Sequence, residues 1–134
     1  MKSQIDRIDD YELKYKSDYA FEHVMVLARQ KHIESLIREK KPAQVLEVGC
    51  GLEQLFHSVE DCEFIKKWTI VEPADDFFAV AGKINDKRVN CIQGFIEDVV
   101  TTEHIEKVDM CICSGLLHEI SSPEIILNAV KNLI

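Results

Sequence analysis

Gln44-Val45-Leu46-Glu47-Val48-Gly49-Cys50-Gly51 decides how the rest of the chain is read. The first five residues form a short, nearly continuous apolar run, the pattern of a strand buried on both faces. Gly49 and Gly51 end the run, and two glycines there allow a tight turn in which a ligand can approach bare backbone amides. Upstream the period differs. Phe21, Val24, Met25, Ala28, Ile33, Leu36 and Ile37 recur at helical spacing between Tyr19 and Lys40, and Pro42 stops that helix.

Downstream, strands and helices alternate. Leu52 to Glu60 reads as a helix, Trp68-Thr69-Ile70-Val71-Glu72 as a second strand and Ala74 to Ile84 as a second crossover helix. Val89-Asn90-Cys91-Ile92-Gln93 reads as a third strand, a short helix follows around Ile96 to Val100, and Val108 to Cys113 reads as a fourth strand. Ser122-Pro123-Glu124 combines a capping hydroxyl, proline at the first helical position and an acid in the first turn. The helix it opens is expected to run to the end of the chain. This alternation predicts an α/β fold with a parallel sheet, covered by helices on both faces through right-handed crossovers.

Composition narrows the function classes. The 134 residues carry 16 Lys and Arg against 24 Asp and Glu, a net charge of −8. That balance speaks against a nucleic-acid groove binder, which needs a basic face; the run Arg38-Glu39-Lys40-Lys41 reads as a solvated helix end. No apolar stretch approaches the ~18 residues of a membrane span, and Met1-Lys2-Ser3-Gln4-Ile5-Asp6 is too charged for a secretory signal. Five cysteines, an odd number without a staple-like pattern, suit reduced thiols and a cytoplasmic location. Residues 19–134 read as one domain, preceded by a polar lead, 1–18. Tyr11, Tyr15 and Tyr19, spaced four apart, form either a docked amphipathic segment or a flap over a ligand.

Ligands in open parallel sheets bind beyond the carboxyl ends of the strands. The second strand ends in Glu72, 21 residues beyond Gly51, where a carboxylate can accept hydrogen bonds from both hydroxyls of a ribose. The dinucleotide fingerprint G-x-G-x-x-G would place a glycine at 54, where this chain has Gln54. Glycine turn and spaced acid together point to a nucleoside-containing ligand, and the missing glycine weakens the dinucleotide reading.

These residues resemble a family. Val45-Leu46-Glu47-Val48-Gly49-Cys50-Gly51 is similar to motif I of the class I S-adenosylmethionine-dependent methyltransferases, and Ile70-Val71-Glu72-Pro73 resembles their second motif. Gln93-Gly94-Phe95-Ile96-Glu97-Asp98 resembles the turn after their third strand, and Val108 to Ile120 their fourth strand and the segment after it. The resemblance covers roughly residues 20–134, in the family's motif order. It implies a Rossmann-like sheet and S-adenosylmethionine as cofactor. It also implies Glu47, Gly49, Cys50 and Gly51 at the methionine moiety, Glu72 and Pro73 at the ribose, the backbone of Phe95 and Ile96 at the adenine, and Ser114 and Gly115 at the methyl-donating centre. Two departures stand out: Glu53 replaces the third glycine of motif I, and Phe95 stands where an Asp is frequent.

Methyl transfer from a sulfonium chiefly requires alignment, with a general base only when the acceptor keeps a proton. Of five histidines, His118 alone falls in a segment expected to face the cofactor, with Glu119 behind it; a helix-start histidine without a role is the other reading. Cys111 and Cys113 share a face of the fourth strand and read as small apolar fillers. No metal site is expected, and a small-molecule methyl acceptor is the expected substrate. The alternatives are a truncated or degenerate domain that binds the cofactor or a partner chain without catalysis, and an NAD-type oxidoreductase. The family's sheet has seven strands, whereas four are legible here. The fourth would then form an apolar edge inviting homo-oligomerisation, or the chain would be a fragment of a longer protein.

Overall fold

The computed structural model describes residues 19–51, 53–113 and 123–134. The expectations for the lead 1–18 with Tyr11 and Tyr15, for Leu52, for Ser114, Gly115, His118 and Glu119, and for the Ser122 cap lie outside the described residues. Helix α1 spans Tyr19–Lys40, β1 Gln44–Val48, α2 Phe56–Val59, β2 Lys67–Glu72, α3 Asp75–Ala81, β3 Val89–Gln93, α4 Ile96–Thr102, β4 Met110–Ile112 and α5 Pro123–Val130. The four strands form one parallel sheet in the order β3-β2-β1-β4.

Strand alternation sorts the core into two layers. Val45, Trp68, Ile70 and Ile112 pack with Ile37 of α1, Phe56 and Val59 of α2 and Ala81 of α3. Leu46, Val48 and Val71 face the other way and pack with Ile96 and Val99 of α4 and Ile126 and Val130 of α5. Helices therefore cover both faces, as the near-continuous hydrophobicity of β1 and β2 requires. Phe56 meets Trp68 edge-on, ring centroids 5.4 Å apart, an arrangement worth ~0.5–1.5 kcal/mol beyond its buried area.

Several element limits differ from the sequence reading, and for four elements the hydrogen bonds show why. The helix expected over 52–60 is confined to α2. Ahead of it, Gln54 Nε2 donates to Gly51 O and Gln30 Nε2 to Glu53 O, so side chains hold carbonyls that a helix would have used. Helix α3 stops at Ala81 because the amides of Lys83 and Ile84 bond three residues back, to Val80 O and Ala81 O. Strand β4 is three residues long; Val108 N donates to Leu133 O instead of to a strand, while the Asp109 carboxylate accepts from Ala43 N and Gln44 N. Helix α5 ends at Val130 rather than at the chain end, and Leu133 N bonds only three residues back, to Val130 O.

Helix α1 ends as expected before Pro42, with Lys41 in the left-handed region at φ 52°. Its apolar stripe is only partly docked. Ile37 is fully buried, but Val24 remains 66% exposed and Met25 and Leu27 are exposed with it. Twenty-two helical residues reach about 33 Å, twice the ~17 Å of a five-residue strand, so the amino-terminal half overshoots the sheet. All five cysteines are free thiols. Cys111 and Cys113 lie half-buried against the second layer, their sulfurs 3.9 Å apart.

Candidate functional site

The parallel order puts the carboxyl ends of β1, β2 and β3 side by side. Beyond β1, Gly49 and Gly51 take left-handed backbone angles, φ 80° and 65°, which L side chains adopt only at a cost. Gly49 N donates to Val71 O, tying the start of the turn to β2. Beyond β3, Gly94 N donates to Glu72 O. Gln93 Nε2 reaches the carboxylate of Asp75 and, at 3.4 Å, Pro73 O. The three tips are thus bonded to one another.

Glu72 sits at their centre. Its Oε1 accepts from Cys50 N at 2.8 Å and Gly51 N at 3.4 Å, and its Oε2 accepts from Ala74 N at 3.0 Å. The residue is fully buried. Burial pushes its carboxyl above the usual range, and the three backbone donors act against that push. About four lone-pair positions are available on a carboxylate; three backbone amides occupy three of them, and the Cys50 side chain bonds the carboxylate as well. Glu72, the acid expected to face a ribose, also clamps the glycine turn.

Glu47 is buried on the same face of the sheet, where its Oε1 accepts the indole N–H of Trp68 at 3.1 Å. Burial, and to a lesser degree the charge of Glu72, raise its carboxyl to about 7 against the lowering effect of that bond. Cys50, between the two acids, has its thiol held neutral: burial pushes it up first, then Glu72 and Glu47. A nucleophilic role for this sulfur is therefore not supported by its surroundings.

Phe95 is half-buried and opens α4 as its N-cap, in extended conformation, its carbonyl accepting from Val99 N. The Ile96 side chain belongs to the core, so only its backbone can meet a ligand. Pro73 is half-buried beside Gln93. The structure therefore brings together Gly49, Cys50, Gly51, Glu72, Pro73, Phe95 and the backbone of Ile96, with Glu47 lying within the sheet behind them.

Two participants escaped the sequence reading. Gln54, noticed only as a missing glycine, donates to Gly51 O and leaves its buried Oε1 without a partner among the described residues. Trp68, noticed only as apolar, holds Glu47. The donor set is rich in acceptors, and no Lys, Arg or His among the described residues pairs with Glu47 or Glu72. Such a set fits a cofactor carrying hydroxyls, an ammonium and a sulfonium. Among the described residues no three His, Cys, Asp or Glu side chains gather in a metal-binding group, and no helix is long and apolar enough to cross a membrane.

No family model matches the chain, and no curated protein matches it in sequence. Solved structures do match. The plantazolicin methyltransferase BamL, in complex with a triazolic desmethylPZN analog and SAH, superposes with a TM-score of 0.75 at 17% identity, over 98% of this chain and 53% of that one. The plantazolicin methyltransferase BpumL in complex with SAH gives 0.68 at 18% identity, over 97% and 54%. SAH-bound PaMTH1 of Podospora anserina gives 0.62 at 16% identity, over 78% and 46%. The chain spans about half the length of these proteins. Over that span, its α/β sheet and crossover helices have the fold of the class I methyltransferases.

Proposed function

We propose that the chain is a class I S-adenosylmethionine-dependent methyltransferase domain acting on a small-molecule acceptor, with S-adenosylmethionine as its cofactor. The observation that carries this reading is the junction of β1 and β2, where a turn with two left-handed glycines meets the strand-end acid Glu72. The SAH bound to proteins of the same fold, the product form of that cofactor, supports it.

In this reading Gly49, Cys50 and Gly51 lie against the methionine end with Glu47 behind them. Glu72 and Pro73 serve the ribose, the backbone of Phe95 and Ile96 borders the adenine, and Ser114 and Gly115 line the methyl-donating centre. The cofactor supplies a methyl group already activated on sulfur. The chain supplies alignment, which can contribute ~7–11 kcal/mol. His118 is the residue assigned to take a proton, where the acceptor carries one. The free thiols suit a cytoplasmic location, and β4, an edge strand among the described residues, is the surface assigned to homo-oligomer formation.

Calorimetry with S-adenosylmethionine, S-adenosylhomocysteine and NAD tests the reading. Binding of the two sulfur ligands is expected, and binding of NAD alone would overturn it. The alternative reading is a domain that binds cofactor or a partner chain without turnover. Methyl transfer to any member of an acceptor panel would exclude that alternative. On a sizing column, a species larger than 15.4 kDa is expected; a monomer would count against the edge.

A further inference from the structure

Bare amides in the glycine turn of an open α/β sheet are anion sites, and in dinucleotide-binding domains a pyrophosphate takes them. In this chain a residue of its own already holds them. Cys50 N and Gly51 N lie 2.8 and 3.4 Å from Glu72 Oε1, and Ala74 N lies 3.0 Å from Oε2. The carboxylate is fully buried. No cationic side chain among the described residues pairs with it, so its compensation is three backbone amides and the Cys50 side chain. Glu47, a second buried acid, lies on the same face of the sheet.

From this geometry we infer that Glu72 selects ligands by charge: its carboxylate fills the amide pair of the glycine turn, so the site admits neutral or cationic adenosyl groups and turns away phosphate-bearing ones. The inference rests on reading the site as adenosyl-binding and adds the residue that separates such ligands from nucleoside phosphates. A phosphate seated on the turn would need the amides of Cys50 and Gly51, and would have to sit against a carboxylate that little water screens. A ribose hydroxyl asks nothing of those amides; it donates to the carboxylate itself, in place of the weak thiol donor of Cys50. A sulfonium is attracted by the same charge. Gln54 brings no compensating cation, only a donor to Gly51 O and a buried acceptor.

The test compares adenosine with ADP by calorimetry at about pH 8, well above the ordinary carboxylate range. The wild-type chain is expected to bind adenosine at least about tenfold more tightly than ADP. Glu72→Gln, which removes the charge and keeps an oxygen acceptor, is expected to shift that ratio toward ADP by about tenfold or more. Equal affinity in the wild type, or an unchanged ratio in the variant, overturns the inference. A second arm needs no variant. In amide spectra of the wild-type chain, inorganic pyrophosphate is expected to leave the Cys50 and Gly51 signals in place, and a saturable shift of those signals overturns the inference. Failure of S-adenosylmethionine to bind while pyrophosphate leaves these signals in place would count against the methyltransferase reading alone.

Discussion

Trp68 donates its indole N–H to Glu47 Oε1 across 3.1 Å inside the sheet, where both side chains are buried. A carboxylate in that position has one neutral donor and a second acid, Glu72, near enough to repel it. Burial, and then the charge of Glu72, raise its carboxyl from 4.5 to about 7 despite the donor.

The folded chain therefore holds this proton more tightly than the unfolded chain. The stability it contributes is complete below about pH 4.5 and is lost as the pH climbs through about 7. Denaturant unfolding followed from pH 5 to pH 8 should show stability falling, by on the order of 3 kcal/mol from Glu47 at most. Glu47→Gln keeps an acceptor for Trp68 and should flatten that part of the profile. Glu72, also raised by burial, keeps a residual slope of the same sign. A variant profile parallel to wild type would contradict the assignment.

Gly94 has φ 152°, and a Cβ built there would stand 2.9 Å from Val99 Cγ2. Gly94→Ala should cost about 2 kcal/mol through the strained backbone and the contact with α4. Pairing it with Val99→Ala should remove only the contact part. Thermal melts of the three variants check this, and full recovery in the double variant would argue against backbone strain.

Lys41 closes α1 in the left-handed region at φ 52°, its amide bonded to Ile37 O at 2.8 Å. A glycine takes that conformation without Cβ strain. Lys41→Gly should therefore stabilise the fold by about 1 kcal/mol, read as a rise in the denaturation midpoint at unchanged slope.

Arg88 ties the loop after α2 to the start of β3. Its guanidinium pairs in a fork with Asp86, holding that carboxyl down at about 2, and lies 5.0 Å over the Phe56 ring. It also donates to Cys62 O at 3.0 Å and Glu60 O at 2.6 Å. Lysine keeps the charge but not the planar fork. Arg88→Lys should cost ~1–2 kcal/mol in urea unfolding, with a loss near zero arguing that water replaces these bonds.

Legibility in the sequence followed the range of the forces involved. The limits of β1 and β3 and the stop of α1 before Pro42 were readable because alternating burial, glycine and proline act within a few residues. The short extent of α2 was not, since the carbonyls that break the expected helix are taken by Gln54 and by Gln30, the latter 23 residues from Glu53. Val24, Met25 and Leu36 have helical spacing but are exposed, because spacing reports a face and says nothing about what lies opposite it.

By itself, the sequence determined a parallel α/β sheet with a glycine turn after β1 and an acid at the end of β2, because local hydrophobic period and backbone freedom suffice for these. Tertiary structure alone decided which distant donors the two acids meet: Glu47 the indole of Trp68, and Glu72 the amides of Cys50 and Gly51. A carboxylate's partner is whichever donor lies within about 3 Å of it, and only the pairing of β1 with β2 brings residues about 20 apart in the chain to that distance.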